Sequence, residues 1–323
     1  MTESSITDNV VGTAYLAGWS ATRWLPERVA YGTFQRIADQ AAARRGSRVQ
    51  MLEANLRRVV GPNVTDADLR SLVREGMRSY LRYWCDAFRL PSWSTAELDD
   101  RVHIHDVDRL WDTLAQGRGL ILALPHSANY DAAAAWVGRC GRLADTGATY
   151  TTVAERLRPE WLYERFLSYR EGFGLEVLPL TGGGNIVGTL ASRLRSGGLV
   201  CLPADRDLTG SGVDVEFFGA TARLPGGPAL LAHLTDAALI SVDLWYDDEG
   251  RTQVQVHQPL EVSTSSDRRR RVHETTQRMA SEFEAGIAGH PEDWHMLQPL
   301  WADDVDAAVA AKAAAVRDES GVA

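Results

Sequence analysis

The chain predicts an α/β fold: a largely parallel central sheet flanked by helices on both faces, with a helical N-terminal region. Three observations predict it. From about Arg118 onward, short apolar or β-branched runs alternate with helix-length segments, which requires crossover connections and hence parallel strands. The first hundred residues carry their apolar positions at helical spacing instead. With 323 residues, 45% of them hydrophobic, the chain is long enough for one large α/β domain. We read residues 1–323 as a single domain, with a helical layer over 1–100, an α/β core over 101–302 and a tail over 303–323.

The N-terminal layer predicts four helices. Val11 to Trp24 carries Tyr15, Leu16, Trp19 and Trp24, and Pro26 closes it. Tyr31 to Arg45 follows, then Arg48 to Val60 with Leu52, Leu56 and Val59 at helical spacing. Thr65-Asp66-Ala67-Asp68 resembles a capping box with Asp in place of Glu. The helix it opens runs to about Leu90, where Pro91 stops it. In the core, GLILALP, ATYTTVAE, LEVLPL, GLVCLPA, DVEFFG, ALISVDLWY and TQVQVHQPL read as strands. Helical segments lie between several of them, at Ala128–Cys140, Pro159–Phe173, Ile186–Arg195 and Gly227–Leu234, and Arg268 to Ala288 forms a last long helix.

Composition narrows the function classes. A net charge of −9 argues against nucleic acid as the principal partner. Mean hydropathy is −0.22, and no run approaches the roughly 20 apolar residues of a spanning helix. The polar start MTESSITDNV does not suggest a signal peptide, so cytoplasmic residence is the expectation. Cys85, Cys140 and Cys201 are scattered and odd in number, fitting neither a disulfide framework nor a CxxC metal site. Every basic residue except Lys312 is arginine, which reflects either coding bias or a face for phosphate groups.

The chemistry-bearing residues gather where the strands end. His126 falls at the carboxyl end of GLILALP, just before a helix, where open α/β sheets build ligand sites. Asp131 lies five residues on. That spacing does not share a face of a regular helix, so a direct pair requires His126 to sit outside the helix and fold back. Two readings stand on spacing alone: an imidazole with one nitrogen toward substrate and the other on a carboxylate, or a polar helix cap beside a surface histidine. Asp205 stands just past another strand end.

The stretch His-Ser-Ala-Asn-Tyr-Asp over 126–131 resembles the HxxxxD/E motif of glycerolipid-type acyltransferases. PEWLYERFLSYREGFGLEVLPL resembles that superfamily's second block. VCLPADRDLTGSGVDVEFFGATARLPGGPALLA resembles the third block of its lipid A biosynthesis branch, HPEDWHMLQPLW the branch's C-terminal ending, and NLRRVVG with MRSYLRYWCDAFRLP its helical N-terminal region. The likeness covers roughly residues 10 to 302. Within the branch, TTVAERLRPEWLYERF, DRDLTGSGV and PEDWHMLQP are most similar to the actinobacterial phosphatidylinositol mannoside acyltransferases. The resemblance implies a peripheral membrane enzyme whose donor is palmitoyl-CoA or another long acyl-CoA. It implies as acceptor the 6-hydroxyl of the mannose on position 2 of the inositol in phosphatidylinositol mono- or dimannoside. No cofactor and no metal are expected beyond acyl-CoA as co-substrate, nor any nucleic-acid partner.

The resemblance also assigns roles. His126 is the general base that takes the sugar hydroxyl's proton, oriented by Asp131, with Asp205 counted among the catalytic residues. At 205 the lipid A branch carries Asp and the mannoside enzymes carry Glu. Arg170, Glu155 and Asn129 are the expected substrate contacts; for Arg170 the other reading is a surface arginine, for Glu155 a surface carboxylate. Oxyanion donors are backbone N–H groups near the helix start or an arginine. Direct transfer is expected, because Ser127 lacks a GxSxG elbow and Cys201 has no evident base beside it. His103 and His105 lack metal-ligand spacing. Trp19, Trp24, Leu16, Leu25, Arg23, Arg28 and Arg36 suit either an anionic membrane surface on the cytoplasmic face or packing on the core. The Arg268–Arg271 run suits either anionic phospholipid or a solvated face.

Overall fold

Strand β2 (Leu120–Leu124) shows why the core is layered. All five residues are buried, and they divide by the period of two. Leu120, Leu122 and Leu124 join one apolar cluster, while Ile121 and Ala123 join another on the opposite face. A strand covered on both sides reads as a continuous apolar run, which is what GLILALP is. The computed structural model describes residues 18, 22–155, 160–180, 184–207 and 210–305.

Helices α1 (Glu27–Arg44), α2 (Ser47–Val60) and α3 (Asp66–Arg89) form the N-terminal layer, closed around Ala38, Leu52, Leu56, Leu69 and Met77. Then come α4 (Thr95–Arg101), β1 (Val102–His105), α5 (Val107–Ala115), β2, α6 (Tyr130–Arg139), α7 (Arg142–Thr146), β3 (Tyr150–Ala154), α8 (Glu160–Glu171) and β4 (Glu176–Pro179). The chain continues through α9 (Ile186–Arg195), β5 (Leu199–Pro203), β6 (Val213–Phe217), β7 (Ala220–Leu224), α10 (Gly227–Thr235), β8 (Ala238–Tyr246), β9 (Thr252–Pro259) and α11 (Arg268–Gly289). Seven strands form one sheet in the order β1-β9-β8-β2-β5-β3-β4. All neighbours pair in parallel except β8 with β9. Helices α4, α5 and α6 cover one face; α9, α10 and α11 cover the other.

Three expectations are corrected. DVEFFG is a strand, but it pairs only with β7 in a separate antiparallel ribbon. Its two-residue turn places Phe218 (φ 48) and Gly219 (φ 71) in the left-handed region that a tight hairpin demands. VHIH, a polar stretch in the sequence, is edge strand β1. A sheet edge tolerates polar residues, and His105 Nε2 there meets Gln253 Oε1 at 2.9 Å. Thr65 does cap α3, accepting the Asp68 N–H at 3.2 Å. Asp68 instead accepts the Thr65 hydroxyl at 2.7 Å, so the reciprocal box forms at Ser94 and Glu97 and not here. The expected helix over 11–24 lies mostly outside the described residues, with Tyr15, Leu16 and Trp19, as does the tail from 306. Among the described residues, no helix is long and apolar enough to cross a membrane.

Candidate active site

Strand register brings the two key residues together. β2 and β5 are parallel neighbours with Leu124 opposite Pro203. Two residues beyond each strand end stand His126 and Asp205, so the pairing itself sets them side by side across one strand spacing, about 4.8 Å. The Ala204 N–H donating to Leu124 O at 2.8 Å extends the ladder to that point. His126 Nδ1 lies 2.5 Å from Asp205 Oδ1, and the His126 backbone N–H donates to Oδ2 at 2.9 Å. The Trp294 indole N–H donates to the same Oδ2 at 2.9 Å.

Asp205 is fully buried. Burial pushes its carboxyl up, but the charge and hydrogen bonds of His126, with the Trp294 indole, hold it below the ordinary carboxylate value. An ionised carboxylate accepts the hydrogen bond from Nδ1–H, so the neutral ring carries its lone pair on Nε2. The His126 side chain is 27% exposed and lines a cavity of about 780 Å³. Asp205, and not Asp131, therefore orients His126.

Asp131 is spent elsewhere. It lies in the first turn of α6, and its partners are on α3 and α8. Tyr83 Oη donates to its Oδ2 at 2.8 Å, Arg170 Nε donates to its Oδ1 at 3.1 Å, and the Arg170–Asp131 ion pair closes to 3.0 Å. Burial works against the Arg170 charge, yet Asp131 together with Tyr83, Tyr130 and Tyr169 outweighs it and raises the guanidinium above its ordinary value. With that proton committed to Asp131, Tyr83 Oη accepts from the Tyr130 hydroxyl 2.9 Å away, and the two rings stack at 5.1 Å. Arg170 lines the cavity as expected, but its charge is matched from within the protein.

Asn129 does not reach the cavity. It is fully buried and caps α6: its Oδ1 accepts the Ala132 N–H at 2.9 Å, and its Nδ2 donates to Asp86 at 3.4 Å. The positive φ of Ala128 (43°) makes the bend that turns Asn129 inward. Glu155 does line the cavity, ion-paired to Arg206 at 3.0 Å, and Arg206 also donates to Gln298. The Ser127 and Ala128 N–H groups donate to Pro125 O and Asp293 O, at 2.8 and 2.9 Å, so neither is free for an oxyanion.

Several site residues escaped the sequence reading. Trp294 holds Asp205. Residues 293–295 strap the His126 loop, with a Ser127–Trp294 bridge and the His295 N–H donating to His126 O at 2.9 Å. Tyr80, Tyr83, Tyr130 and His295 line the cavity. The PEDWH stretch was visible in the sequence, but nothing local tied His295 to a loop residue 169 positions earlier. Cys201 has no nucleophile's environment, since burial pushes its thiol up to about 12. Among the described residues, His290, Glu292 and Asp293 offer ligand atoms within 4.8 Å of one another. That set is accounted for by protein contacts: Asp293 is bonded through both oxygens to Ser79 and Tyr246, and His290 stacks on Trp245 at 4.9 Å.

A histidine–carboxylate pair over a cavity at the strand ends belongs to a protein class that comparison identifies. The family model for bacterial lipid A biosynthesis acyltransferases matches residues 1–303, and the chain belongs to that family. Among named relatives, the phosphatidylinositol mannoside acyltransferase of Mycolicibacterium smegmatis is 45% identical over 297 residues, covering 92% of this chain and 93% of that protein. The protein of the same name from Mycobacterium tuberculosis is 45% identical over 307 residues, covering 94% and 92%. The 1-acyl-sn-glycerophosphate acyltransferase of Thermotoga maritima, at 15% identity and a TM-score of 0.33, covers 80% of this chain and all of that one.

Proposed function

We propose that the chain transfers a long acyl group, such as palmitoyl, from acyl-CoA to the 6-hydroxyl of the 2-linked mannose of phosphatidylinositol mono- or dimannoside. The observation that carries the reading is the position of His126 Nε2 on a cavity with two kinds of wall. One wall is apolar and comes from β3, β5, β6, α9 and α10: Val153, Leu202, Val213, Leu190, Leu230 and Leu231. It suits an acyl chain, whose transfer from water is favourable in proportion to the apolar area buried. The other is polar and aromatic: Tyr80, Tyr83, Tyr130, Glu155, Arg170 and Arg206. That wall suits a sugar headgroup. The acceptor is named from the two relatives above.

In this reading the bound hydroxyl donates to His126 Nε2 and attacks the thioester carbonyl. Nε2 takes the proton as the C–O bond forms, and Asp205 stabilises the resulting imidazolium. The tetrahedral intermediate collapses with loss of coenzyme A as thiolate, which takes the proton from His126. No acyl-enzyme forms. The role expected of Asp131 passes to Asp205, while Asp131 and Arg170 shape the polar wall. We assign membrane contact, on the anionic cytoplasmic face, to the N-terminal helices. Trp24 is 88% exposed there, with Leu25, Val29 and Ile37 also exposed beside Arg28 and Arg36, so these side chains do not pack on the core.

The test is incubation with radiolabelled palmitoyl-CoA and a panel of lipid acceptors, with His126→Ala alongside. Transfer to the dimannoside that the variant lacks is the expected result. Transfer only to a lysophospholipid or another glycolipid replaces the acceptor, and lipid binding without turnover overturns the enzyme reading. Trp24→Ser should weaken sedimentation with anionic vesicles and leave thermal stability within about 0.5 kcal/mol.

A further inference from the structure

A second imidazole stands beside His126, backed by a hydroxyl and a carboxyl. His295 lines the cavity, its ring centroid 5.5 Å from that of Tyr80 and 5.9 Å from that of Tyr83. Its Nε2 lies 2.9 Å from Ser79 Oγ, and Ser79 Oγ lies 2.5 Å from Asp293 Oδ1. The other Asp293 oxygen accepts the Tyr246 N–H at 2.8 Å. Among the described residues the His295 ring makes its side-chain hydrogen bond through Nε2, and the ring lines the cavity.

The row has only one arrangement of protons for each state of Asp293. A serine hydroxyl has one proton to donate. When Asp293 is ionised, Ser79 donates to it, Nε2 donates to Ser79, and the neutral ring keeps its lone pair on Nδ1. When Asp293 carries a proton on Oδ1, it donates to Ser79, Ser79 donates to Nε2, and Nδ1 becomes the N–H. Burial, then the charge of His126, pushes His295 down to about 3, so the ring is neutral in both cases. Burial pushes Asp293 up to about 7, with Ser79 and Tyr246 offsetting part of the effect. The charged groups acting on the pair are Glu292 and Arg82 on Asp293, and His126 and Asp205 on His295. Tyr80, Tyr83, Tyr246 and His290 are the remaining titratable neighbours.

We propose that Ser79 and Asp293 are positioning residues that decide which nitrogen of His295 holds its proton, and so whether the cavity wall beside His126 accepts or donates a hydrogen bond. With Asp293 ionised, Nδ1 accepts from a hydroxyl of the polyol acceptor; with Asp293 protonated, it cannot. This rests on the acyltransferase reading above.

Asp293→Asn is the decisive variant. Its amide oxygen can still accept from Tyr246, but its NH₂ donates to Ser79 and so imposes the protonated arrangement. Nitrogen NMR of the full chain, labelled at histidine, reads the tautomer without substrate or turnover. At about pH 8, above the shifted Asp293 value, wild type should carry the proton on Nε2 and the variant on Nδ1. Lowering the pH of wild type alone should move the signal the same way, which keeps the test open if the variant folds poorly. In kinetics, the KM for phosphatidylinositol dimannoside should rise about tenfold in the variant, one neutral hydrogen bond's worth. The KM for palmitoyl-CoA should stay unchanged, and Ser79→Ala should abolish the pH dependence of the acceptor KM. One tautomer in both proteins and at both ends of the pH range overturns the proposal, as does an equal rise in both KM values. Absence of any transfer to the dimannoside would instead overturn the acceptor reading and leave the tautomer result standing.

Discussion

Two polar clusters meet around His126, and different forces hold them. The His126–Asp205 pair hangs from adjacent parallel strands, so backbone register sets its geometry before any side chain packs. The second cluster is organised by α3, whose Ser79, Tyr83 and Asp86 reach residues far away in the chain. Ser79 meets Asp293 214 positions on, Tyr83 meets Asp131 48 positions on, and Asp86 meets Tyr31, Asn129 and Tyr246. The first cluster survives small packing errors because the ladder supplies it. The second exists only when the N-terminal layer and the C-terminal strap are both docked, and each of its buried groups costs stability if a partner is missing. In the proposed reaction, then, the proton-transfer pair sits on the sheet, and the acceptor contacts sit on a network that depends on the whole fold.

Breaking the first cluster should have the largest effect. His126→Ala should lower kcat by about 10³-fold or more while the thermal transition stays in place. Asp205→Asn should follow at about 10²- to 10³-fold, because the amide no longer fixes the Nδ1–H tautomer. If Asp131→Asn lowered kcat as much as Asp205→Asn, the division between the clusters would fail. It should instead act on the fold: removing one partner of the buried ion pair with Arg170 costs about 3–5 kcal/mol, visible by chemical denaturation. The folded fraction should keep activity within about tenfold.

The smallest effect expected is one of pH on stability. Asp293 is raised to about 7 in the fold. Its contribution is therefore fully present below the ordinary carboxylate value of about 4 and is lost as pH rises through about 7. Compared with Asp293→Asn, wild type should lose a few degrees in Tm between about pH 5 and pH 8. Parallel Tm curves would mean that Asp293 does not titrate in that range.

Element by element, most of the fold was legible. The strand runs, α2, α3 and α11 were found close to their bounds, because burial on one or both faces writes a period into the chain. Edge strand β1 and ribbon strand β7 were not. They are short and half-polar, and their pairing partners lie well away in sequence or in a tight turn. At the site, His126, Arg170 and Glu155 line the cavity and Asp205 bonds the His126 ring, whereas Asn129 is a buried helix cap.

The division between Asp131 and Asp205 shows where local reading ends. HxxxxD marks two residues that are near in the chain, and nearness in the chain is what a motif records. Which carboxylate touches the imidazole depends on β5 lying beside β2, and strand order is set by crossover connections and by the packing of whole layers. Spacing, composition and resemblance were enough to establish an α/β acyltransferase with its histidine at a strand end. The partner of that histidine, the strap that clamps its loop and the row behind His295 came from contacts across 79, 169 and 216 positions, which no periodicity encodes.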